Sequence, residues 1–231
     1  MRFGIISAGK GKRLVSEGYG QPKPLVPVNG VPMIERLARI MMRCGAERIA
    51  VIVNADNRET VEFVTRLSSE LPIDLTVKST PSPMHSLMEL APYLGNDRFC
   101  VTTVDTVFSE NLFHTMMDEF ARIPYDGMMG VTSLIDDEKP LYVDVDGEMM
   151  IRGFLDEMGV SRFVSAGIYA LKASAFDILK ECLDSGQVRM RYFQRQLLQA
   201  GMQLKAFDME QVVDVDHAGD VVKAQQIASE L

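Results

Sequence analysis

A glycine-rich segment near the amino terminus carries the residues best suited to chemistry. Residues 8–14 read Ala-Gly-Lys-Gly-Lys-Arg-Leu, and Lys23 follows between two prolines. Glycines let backbone amides approach a phosphate closely, and successive amides form a nest that binds anions. The flanking prolines hold the backbone of Lys23 near extended geometry and so fix the direction of its ammonium group. From Gly9 to Pro24, four basic side chains stand against one acidic side chain, a local charge of +3. The pattern predicts a polyphosphate site.

Two familiar phosphate-binding motifs do not fit this segment. Gly4 and Gly9-Lys10 look like the start of a P-loop, but Gly11 stands where that motif needs a serine or threonine to bind magnesium. Gly4 also lies within the predicted first strand. Gly9 and Gly11 could begin a dinucleotide-binding fingerprint, but Leu14 replaces its third glycine. Both motifs are excluded, and the segment needs another explanation.

Three aspartates lie within or directly after predicted strands, where they could bind a ligand. Asp105 comes directly after Val101-Thr102-Thr103-Val104, at the carboxyl end of a predicted strand, and ligands bind at the carboxyl ends of strands in open α/β sheets. From spacing alone, Asp105 could instead cap the next helix or form a turn. Asp214 and Asp216 are two residues apart, so on a strand their side chains point to the same face.

The elements that must position these residues alternate between strand and helix in residues 1–125. Apolar runs predict buried strands, and helical spacing predicts the segments between them. The predicted strands are 3–6, 49–53, 73–77 and 99–104, and the predicted helices are 32–44, 57–67 and 86–94. This alternation indicates parallel strands joined by right-handed crossovers.

The pattern changes after residue 125. Short strands are linked by tight turns, and Asp146-Gly147 is typical of a hairpin. The predicted strands are 128–134, 141–145, 149–155, 163–171, 204–207 and 212–215, and the predicted helices are 173–183, 191–200 and 218–231. We therefore predict one domain over residues 1–231. Its fold class is α/β, with a Rossmann-like mixed, mostly parallel sheet flanked by helices and an antiparallel elaboration in the second half.

Composition excludes several classes of function. The chain has 231 residues and a net charge of −8, whereas a general nucleic-acid binder normally carries a basic surplus. No apolar run approaches the roughly 20 residues that span a bilayer, and the amino terminus does not have the pattern of a signal peptide. Three widely spaced cysteines predict buried thiols in a reducing cytoplasm rather than a zinc or redox site. We expect no nucleic-acid partner, no membrane partner and a cytoplasmic location.

The glycine-rich segment, together with Pro22-Lys23-Pro24-Leu25-Val26-Pro27-Val28 and Gly30-x-Pro32-Met33-Ile34, closely resembles the amino-terminal signature of the sugar-phosphate nucleotidyltransferases. These enzymes join a nucleoside triphosphate to a sugar 1-phosphate and release pyrophosphate. The resemblance implies a nucleotide-binding half over residues 1–125 and an acceptor-binding half over residues 126–231, which also supplies a second metal ligand. It implies two partners, a nucleoside triphosphate and a phosphorylated small molecule. A homo-oligomer stays open.

The resemblance also implies roles for individual residues. It assigns catalysis to Arg13 and Lys23, which neutralise the reacting phosphates. It assigns nucleotide binding to Ala8, Gly9, Lys10, Gly11 and Ser86. Magnesium, Mg²⁺, is the implied cofactor, and its implied ligands are Asp105 and Asp216, with Asp214 as the alternative. Because magnesium usually takes one or two carboxylates together with phosphate oxygens, two such ligands suffice.

The acceptor region departs from the family pattern. The resemblance assigns Glu157, Ala166 and Gly167 to acceptor binding, but the lysine that follows this glutamate in relatives is missing. We interpret Glu138-Lys139-Pro140 as unrelated to that motif because it precedes the hairpin turn. Residues 80–87 replace the segment that reads the base in relatives. Two alternatives therefore stay open: a non-sugar acceptor such as a polyol or choline phosphate, and an inactive protein that binds nucleotide or sugar phosphate as a regulator.

Overall fold

The computed structural model describes residues 1–9, 14, 17–95, 97–134, 139–160 and 162–229. Four parallel strands form the first half of the main sheet, in the order β5-β4-β1-β6. They are β1 (Arg2–Ser7), β4 (Ile49–Val53), β5 (Ile73–Val77) and β6 (Arg98–Thr103). The helices between them are α1 (Met33–Arg43), α2 (Arg58–Leu67) and α3 (Pro83–Leu94). These elements confirm the predicted alternation.

The register of the parallel strands brings their carboxyl ends to one edge of the sheet. Strand β1 lies between β4 and β6, with Phe3 beside both Ile49 and Cys100. The chain therefore leaves β1, β4 and β6 at a common level, and β1 ends at Ser7 directly before the glycine-rich segment. Because ligands of open α/β sheets bind at this edge, the fold places the segment where the sequence predicts a site.

Mostly antiparallel strands extend the sheet in the second half. They are β8 (Gly127–Thr132), β9 (Tyr142–Val145), β10 (Ile151–Leu155), β11 (Phe163–Lys172) and β12 (Leu204–Asp208). Strand β11 pairs antiparallel with β6, β8 and β9, and β12 pairs parallel with β8. The helices here are α4 (Glu110–Phe120), α5 (Ala175–Asp184), α6 (Met190–Gln199) and α7 (Ala218–Ile227). The mixed sheet and its antiparallel elaboration are as predicted.

Helices cover both faces of the sheet, and each face has its own apolar core. Phe3 and Val51 belong to the core that packs against α1, α2 and α4. Phe99 and Ile52 belong to the core on the opposite face, under α3, α5 and α6. Since alternate residues of a strand point to opposite faces, continuous apolar strands such as β4 are buried on both sides. This three-layer packing makes the sheet edge a rigid platform.

A third apolar cluster lies beside the sheet edge and joins segments that are far apart in the sequence. It contains Val26, Val107, Val213 and Val215, all buried, together with residues of α7. Its strands are the hairpin β2 (Pro27–Val28) and β3 (Val31–Pro32), and the antiparallel pair β7 (Thr106–Phe108) and β13 (Val212–Asp214). We call this group of elements the side cluster. Lys23 lies three residues before Val26 of this cluster, and Asp216 directly follows Val215.

The structure adds elements that the sequence patterns did not predict. The two-residue strands β2 and β3 are too short for any periodicity, although Asn29 and Gly30 between them have φ of 51° and 81° and make a tight turn. Helix α3 begins at Pro83 rather than Ser86, because the Ser82 hydroxyl accepts a hydrogen bond from the His85 amide and caps the helix. No helix in the described part of the chain is long and apolar enough to cross a membrane.

Candidate active site

Lys23 lies between two of the predicted metal ligands. Its Nζ is 2.6 Å from Asp105 Oδ2 and 2.6 Å from Asp216 Oδ1. Lys23 begins a single 3-10 turn over Lys23–Leu25, whose prolines fix its start. Asp105 follows β6, and Asp216 follows β13. Residues separated by 193 positions in the sequence thus meet at one point.

The charges around Lys23 favour the protonated form of its side chain. The Lys23 side chain is only 11% exposed. Burial by itself disfavours the charged form, but the carboxylates of Asp105 and Asp216 outweigh it, so the pKa of Lys23 is raised above its ordinary value. The lysine is therefore fully charged at neutral pH, and it neutralises one of the two carboxylates that face it.

The same two carboxylates suit a magnesium ion. Both direct an oxygen at a common point that a cationic group already fills, and carboxylate oxygens are the ligands that Mg²⁺ prefers. Within the described residues, no group of three or more His, Cys, Asp or Glu side chains could hold a metal by itself. Asp105 and Asp216 are therefore the side chains that would hold such an ion.

Asp214 lies in a different environment from Asp216. Its Oδ1 accepts a hydrogen bond of 3.0 Å from the Thr106 hydroxyl, which is 2.7 Å from the Thr103 hydroxyl. The side chain keeps solvent-accessible surface, but the protein atoms crowded around the carboxyl and the charge of Asp105 raise its pKa. Because Asp216 and not Asp214 contacts Lys23, the geometry favours Asp216 as the second ligand.

A cleft of about 340 Å³ opens at these residues. Its lining includes Ile6, Ser7, Gly9, Leu14, Lys23, Pro24, Pro83, Thr103, Val104, Asp105 and Asp216. We call it the reaction cleft. The Ser7 hydroxyl in its wall is buried and has no hydrogen-bond partner among the described residues. Ala8 is buried next to it, and its carbonyl oxygen accepts a 2.7 Å hydrogen bond from the Asn54 side chain. The cleft thus begins where the glycine-rich segment begins.

Glu17 connects the end of the glycine-rich segment to the start of α7. Its Oε2 accepts a 2.7 Å hydrogen bond from the Ala218 amide, and its Oε1 is 2.6 Å from His217 Nδ1. His217 directly follows Asp216, so Glu17 holds the backbone next to a predicted ligand. Lys10, Gly11 and Arg13, which the resemblance assigns to the nucleotide and to catalysis, lie outside the described residues.

Ser86 lies in a cluster of hydroxyl groups at the start of α3. Its Oγ is 2.6 Å from the Thr80 hydroxyl, and the Ser82 hydroxyl is 2.8 Å from His85 Nδ1. Ser86 is buried, and the neighbouring Pro83 lines the reaction cleft. The predicted base-reading segment therefore adjoins the cleft, and a buried Ser86 would act mainly by holding Thr80.

The predicted acceptor residues fall into two places. Gly167 has φ +69°, and a Cβ there would lie 3.2 Å from Thr106 Oγ1, so it lies against the Thr106–Asp214 hydrogen bond. Its neighbour Ala166 packs its side chain into the core and could contact an acceptor only through its backbone. Glu157 lies apart from both, in a separate pocket of about 500 Å³.

That second pocket, the acceptor-half pocket, contains more charge than the sequence predicted. It is lined by Lys139, Pro140, Tyr142, Asp156, Glu157, Met158 and Arg191. Arg191 donates to Asp156 Oδ1 at 2.7 Å and to the Lys139 carbonyl oxygen at 3.0 Å. Lys139 and Pro140, which the sequence led us to treat as unrelated to the glutamate motif, thus share a pocket with Glu157. Sequence order hid this because the β9–β10 hairpin lies between them.

A known family of proteins matches most of this chain. Residues 4–198 match the family described as "MobA-like NTP transferase domain". The bifunctional protein GlmU of Methanococcus maripaludis is 23% identical over 227 residues; the match covers 95% of this chain but 52% of GlmU. The chain thus spans about half the length of the curated relatives it matches.

Solved structures with the same fold cover nearly the whole chain. One described as a glucose-1-phosphate thymidylyltransferase from Bacillus anthracis has a TM-score of 0.85 at 21% identity, covering 100% of this chain and 96% of that one. The inositol-1-phosphate CTP transferase of T. maritima has a TM-score of 0.81 at 19% identity, covering 99% and 96%. At such identities these likenesses establish the fold.

Proposed function

Because the chain belongs to the MobA-like NTP transferase domain family, we propose that it transfers a nucleotidyl group from a nucleoside triphosphate to a phosphorylated small molecule and releases pyrophosphate. The observation that carries this proposal is Lys23 held 2.6 Å from both Asp105 and Asp216 at the mouth of the reaction cleft. Two carboxylates that would hold a metal ion, with an ammonium group between them, suit a reaction between two phosphates.

The chemistry asks for charge stabilisation rather than a protein nucleophile. An oxygen of the acceptor phosphate attacks the α-phosphorus of the triphosphate, and the bond to the pyrophosphate breaks. The attacking oxygen is already anionic, so no general base is required, and catalysis rests on positioning and on fixed positive charge. Mg²⁺ would supply positive charge that stabilises the negative charge developing on the phosphates. Asp105 and Asp216 would hold it.

Lys23 would act at the reacting phosphates. Its ammonium group neutralises one of the two carboxylates that face it, and it would also contact phosphate oxygens of a bound substrate. Arg13, from the resemblance, would stabilise the departing pyrophosphate. Ser7 and the backbone at Gly9 begin the part of the cleft where the triphosphate would lie.

For the acceptor, we propose a sugar 1-phosphate, with a non-sugar phosphate as the alternative. The name of the Bacillus anthracis protein supports the first and that of the inositol-1-phosphate CTP transferase supports the second. In the acceptor-half pocket, Lys139 would supply the positive charge of the missing family lysine, and Arg191 is paired with Asp156. The three free cysteines, Cys44, Cys100 and Cys182, support a cytoplasmic location.

A pyrophosphate-release screen tests this proposal. Four nucleoside triphosphates are combined with a panel of sugar 1-phosphates, inositol 1-phosphate and choline phosphate, with magnesium or with EDTA. We expect turnover with at least one pair, only in magnesium, and its loss in Asp105→Ala. Asp184→Ala, at an exposed helix pair, is the matched control and should keep full turnover. Tight triphosphate binding without turnover for any pair would instead support the inactive regulator.

A further inference from the structure

A second cleft lies on the far side of the side cluster. It has a volume of about 170 Å³ and lies between the β2–β3 hairpin, α1 and the end of α7. It is lined by Val28, Asn29, Val31, Arg36, Arg43, Glu110, Ile227 and Ala228. None of these residues lines the reaction cleft. We call it the rear cleft, and its two arginines are the reason to consider it as a site.

Arg36 brings an uncompensated positive charge to this cleft. The residue is half-buried on α1, and its Nη2 donates a 3.1 Å hydrogen bond to the Phe108 carbonyl oxygen. Across the part of the chain that the structure describes, its guanidinium forms no ion pair. Burial accordingly lowers the pKa of Arg36. A charge withdrawn from water is normally paired, because the loss of hydration is costly.

Arg43, the second arginine of the rear cleft, does have such a partner. It lies two turns further along the same helix face and binds Glu110 with two hydrogen bonds, one of them 2.7 Å from Nη2 to Oε2. The second is from its Nε to Oε1. Glu110 already binds Arg43, so two guanidinium groups share one carboxylate, and the described residues that line the rear cleft have a net charge of +1. One further anionic group would balance it.

We propose that the rear cleft is a second anion-binding site that takes a phosphate or carboxylate group, with Arg36 as its principal ligand. A guanidinium presents several donors in a planar fork that matches both groups. The cleft has room for one such group and the atoms attached to it. Because its walls belong to the hairpin that follows Lys23 and to the helix that follows Asp216, the ligand would be an effector or structural anion rather than a substrate.

The test is a site-resolved titration of isotope-labelled protein by NMR. Inorganic phosphate and acetate are added in separate arms at constant ionic strength, and amide resonances of residues 28–31 and the Arg36 side-chain Nε–H are followed. We expect saturable shifts at these positions, distinct from shifts at residues 7–9 in the reaction cleft. Shifts at these positions with either anion support the site. The anion that causes them identifies the class of ligand.

Matched variants connect the shifts to Arg36. Arg36→Met should weaken binding at residues 28–31 at least tenfold while shifts at residues 7–9 persist. Arg39→Met, on the exposed side of the same helix where Arg39 binds Glu35 and Glu70, should leave the titration unchanged. Absence of saturable shifts at residues 28–31 in the wild-type protein, or their survival in Arg36→Met, would overturn the proposal. Should Arg36→Met not fold, the wild-type Nε–H titration decides alone.

Discussion

Replacing Lys23 by methionine separates two roles of the lysine. One is to neutralise a carboxylate before the reaction, and the other is to act on the phosphates during it. Methionine keeps a flexible side chain but removes the ammonium group that lies 2.6 Å from Asp105 and from Asp216. Without a divalent cation, the two carboxylates then face each other with no positive charge between them. Magnesium relieves this repulsion. We therefore expect Lys23→Met to be less stable than the wild-type protein only when divalent cations are removed.

The expected loss of stability follows from the distances between the charges. The two carboxylate oxygens can be no further apart than twice 2.6 Å. Two unit charges about 5 Å apart repel by about 3 kcal/mol at an effective dielectric constant of about 20. The Asp216 side chain is 43% exposed, and water screens its charge, so we expect the free energy of unfolding in EDTA to fall by about half of that, about 1.5 kcal/mol. Because magnesium removes this repulsion, the same energy should make magnesium bind about tenfold more tightly to Lys23→Met than to the wild-type protein.

Urea unfolding followed by circular dichroism measures the stability, in EDTA and in excess magnesium. Lys180→Met is the matched control, since Lys180 pairs with Asp184 on an exposed helix surface and should matter little in either condition. A pyrophosphate-release assay on the same proteins should give a turnover for Lys23→Met that is lower by a factor of about 100 or more at saturating magnesium.

Three results would contradict this reasoning. Equal stability of wild-type protein and Lys23→Met in EDTA would mean that the lysine does not neutralise the carboxylates. Normal turnover at saturating magnesium would mean that the ammonium group does not act on the reacting phosphates. A loss of stability of the same size in EDTA and in magnesium would mean that Lys23 supports the fold through packing rather than through charge.

Four further substitutions test neighbouring parts of the site. Gly167→Ala should lower the free energy of unfolding in urea by about 1–2 kcal/mol, since alanine disfavours φ +69° and its Cβ would press on Thr106; an unchanged value would show that the backbone relaxes. Asp216→Asn should raise the magnesium concentration for half-maximal turnover about tenfold or more and Asp214→Asn much less; the reverse order would make Asp214 the ligand. Glu17→Gln should raise the magnesium concentration for half-maximal turnover about threefold, because a negative charge at the start of α7 is lost. An unchanged concentration would show that Glu17 does not affect the metal site.

The sequence was informative wherever a local pattern met a strict physical requirement. The continuous apolar run 49–53 predicted a strand with the bounds that the structure has, because a strand buried on both faces tolerates few polar side chains. The strand predicted over 73–77 also has the observed bounds, although it contains Asp74 and Thr76 and is only partly buried. Lys23 was identifiable because its flanking prolines restrict the backbone. Asp105 could be placed at the sheet edge from the strand before it, but spacing alone could not choose between a ligand and a helix cap.

Other parts of the site depend on contacts that leave no local pattern. Strand β7 has three residues, and its pairing with β13 joins segments about a hundred positions apart, so no periodicity could predict it. The role of Thr106 as donor to Asp214 follows only from that pairing. Glu17 is one acid in a basic segment, and its contact with Ala218 depends on how α7 returns to the glycine-rich segment.

The register of β7 against β13 explains why one aspartate and not the other reaches Lys23. Val213 lies opposite Val107 and Asp214 opposite Thr106, so Asp214 is held by the neighbouring strand. The Val215 amide then donates a 3.0 Å hydrogen bond to the Asp105 carbonyl oxygen, which fixes the next residue, Asp216, above the Asp105 side chain. The match to the family ends at residue 198, so the second carboxylate comes from a segment beyond it. A shift of this register by one residue would turn Asp216 away and leave Lys23 with a single carboxylate.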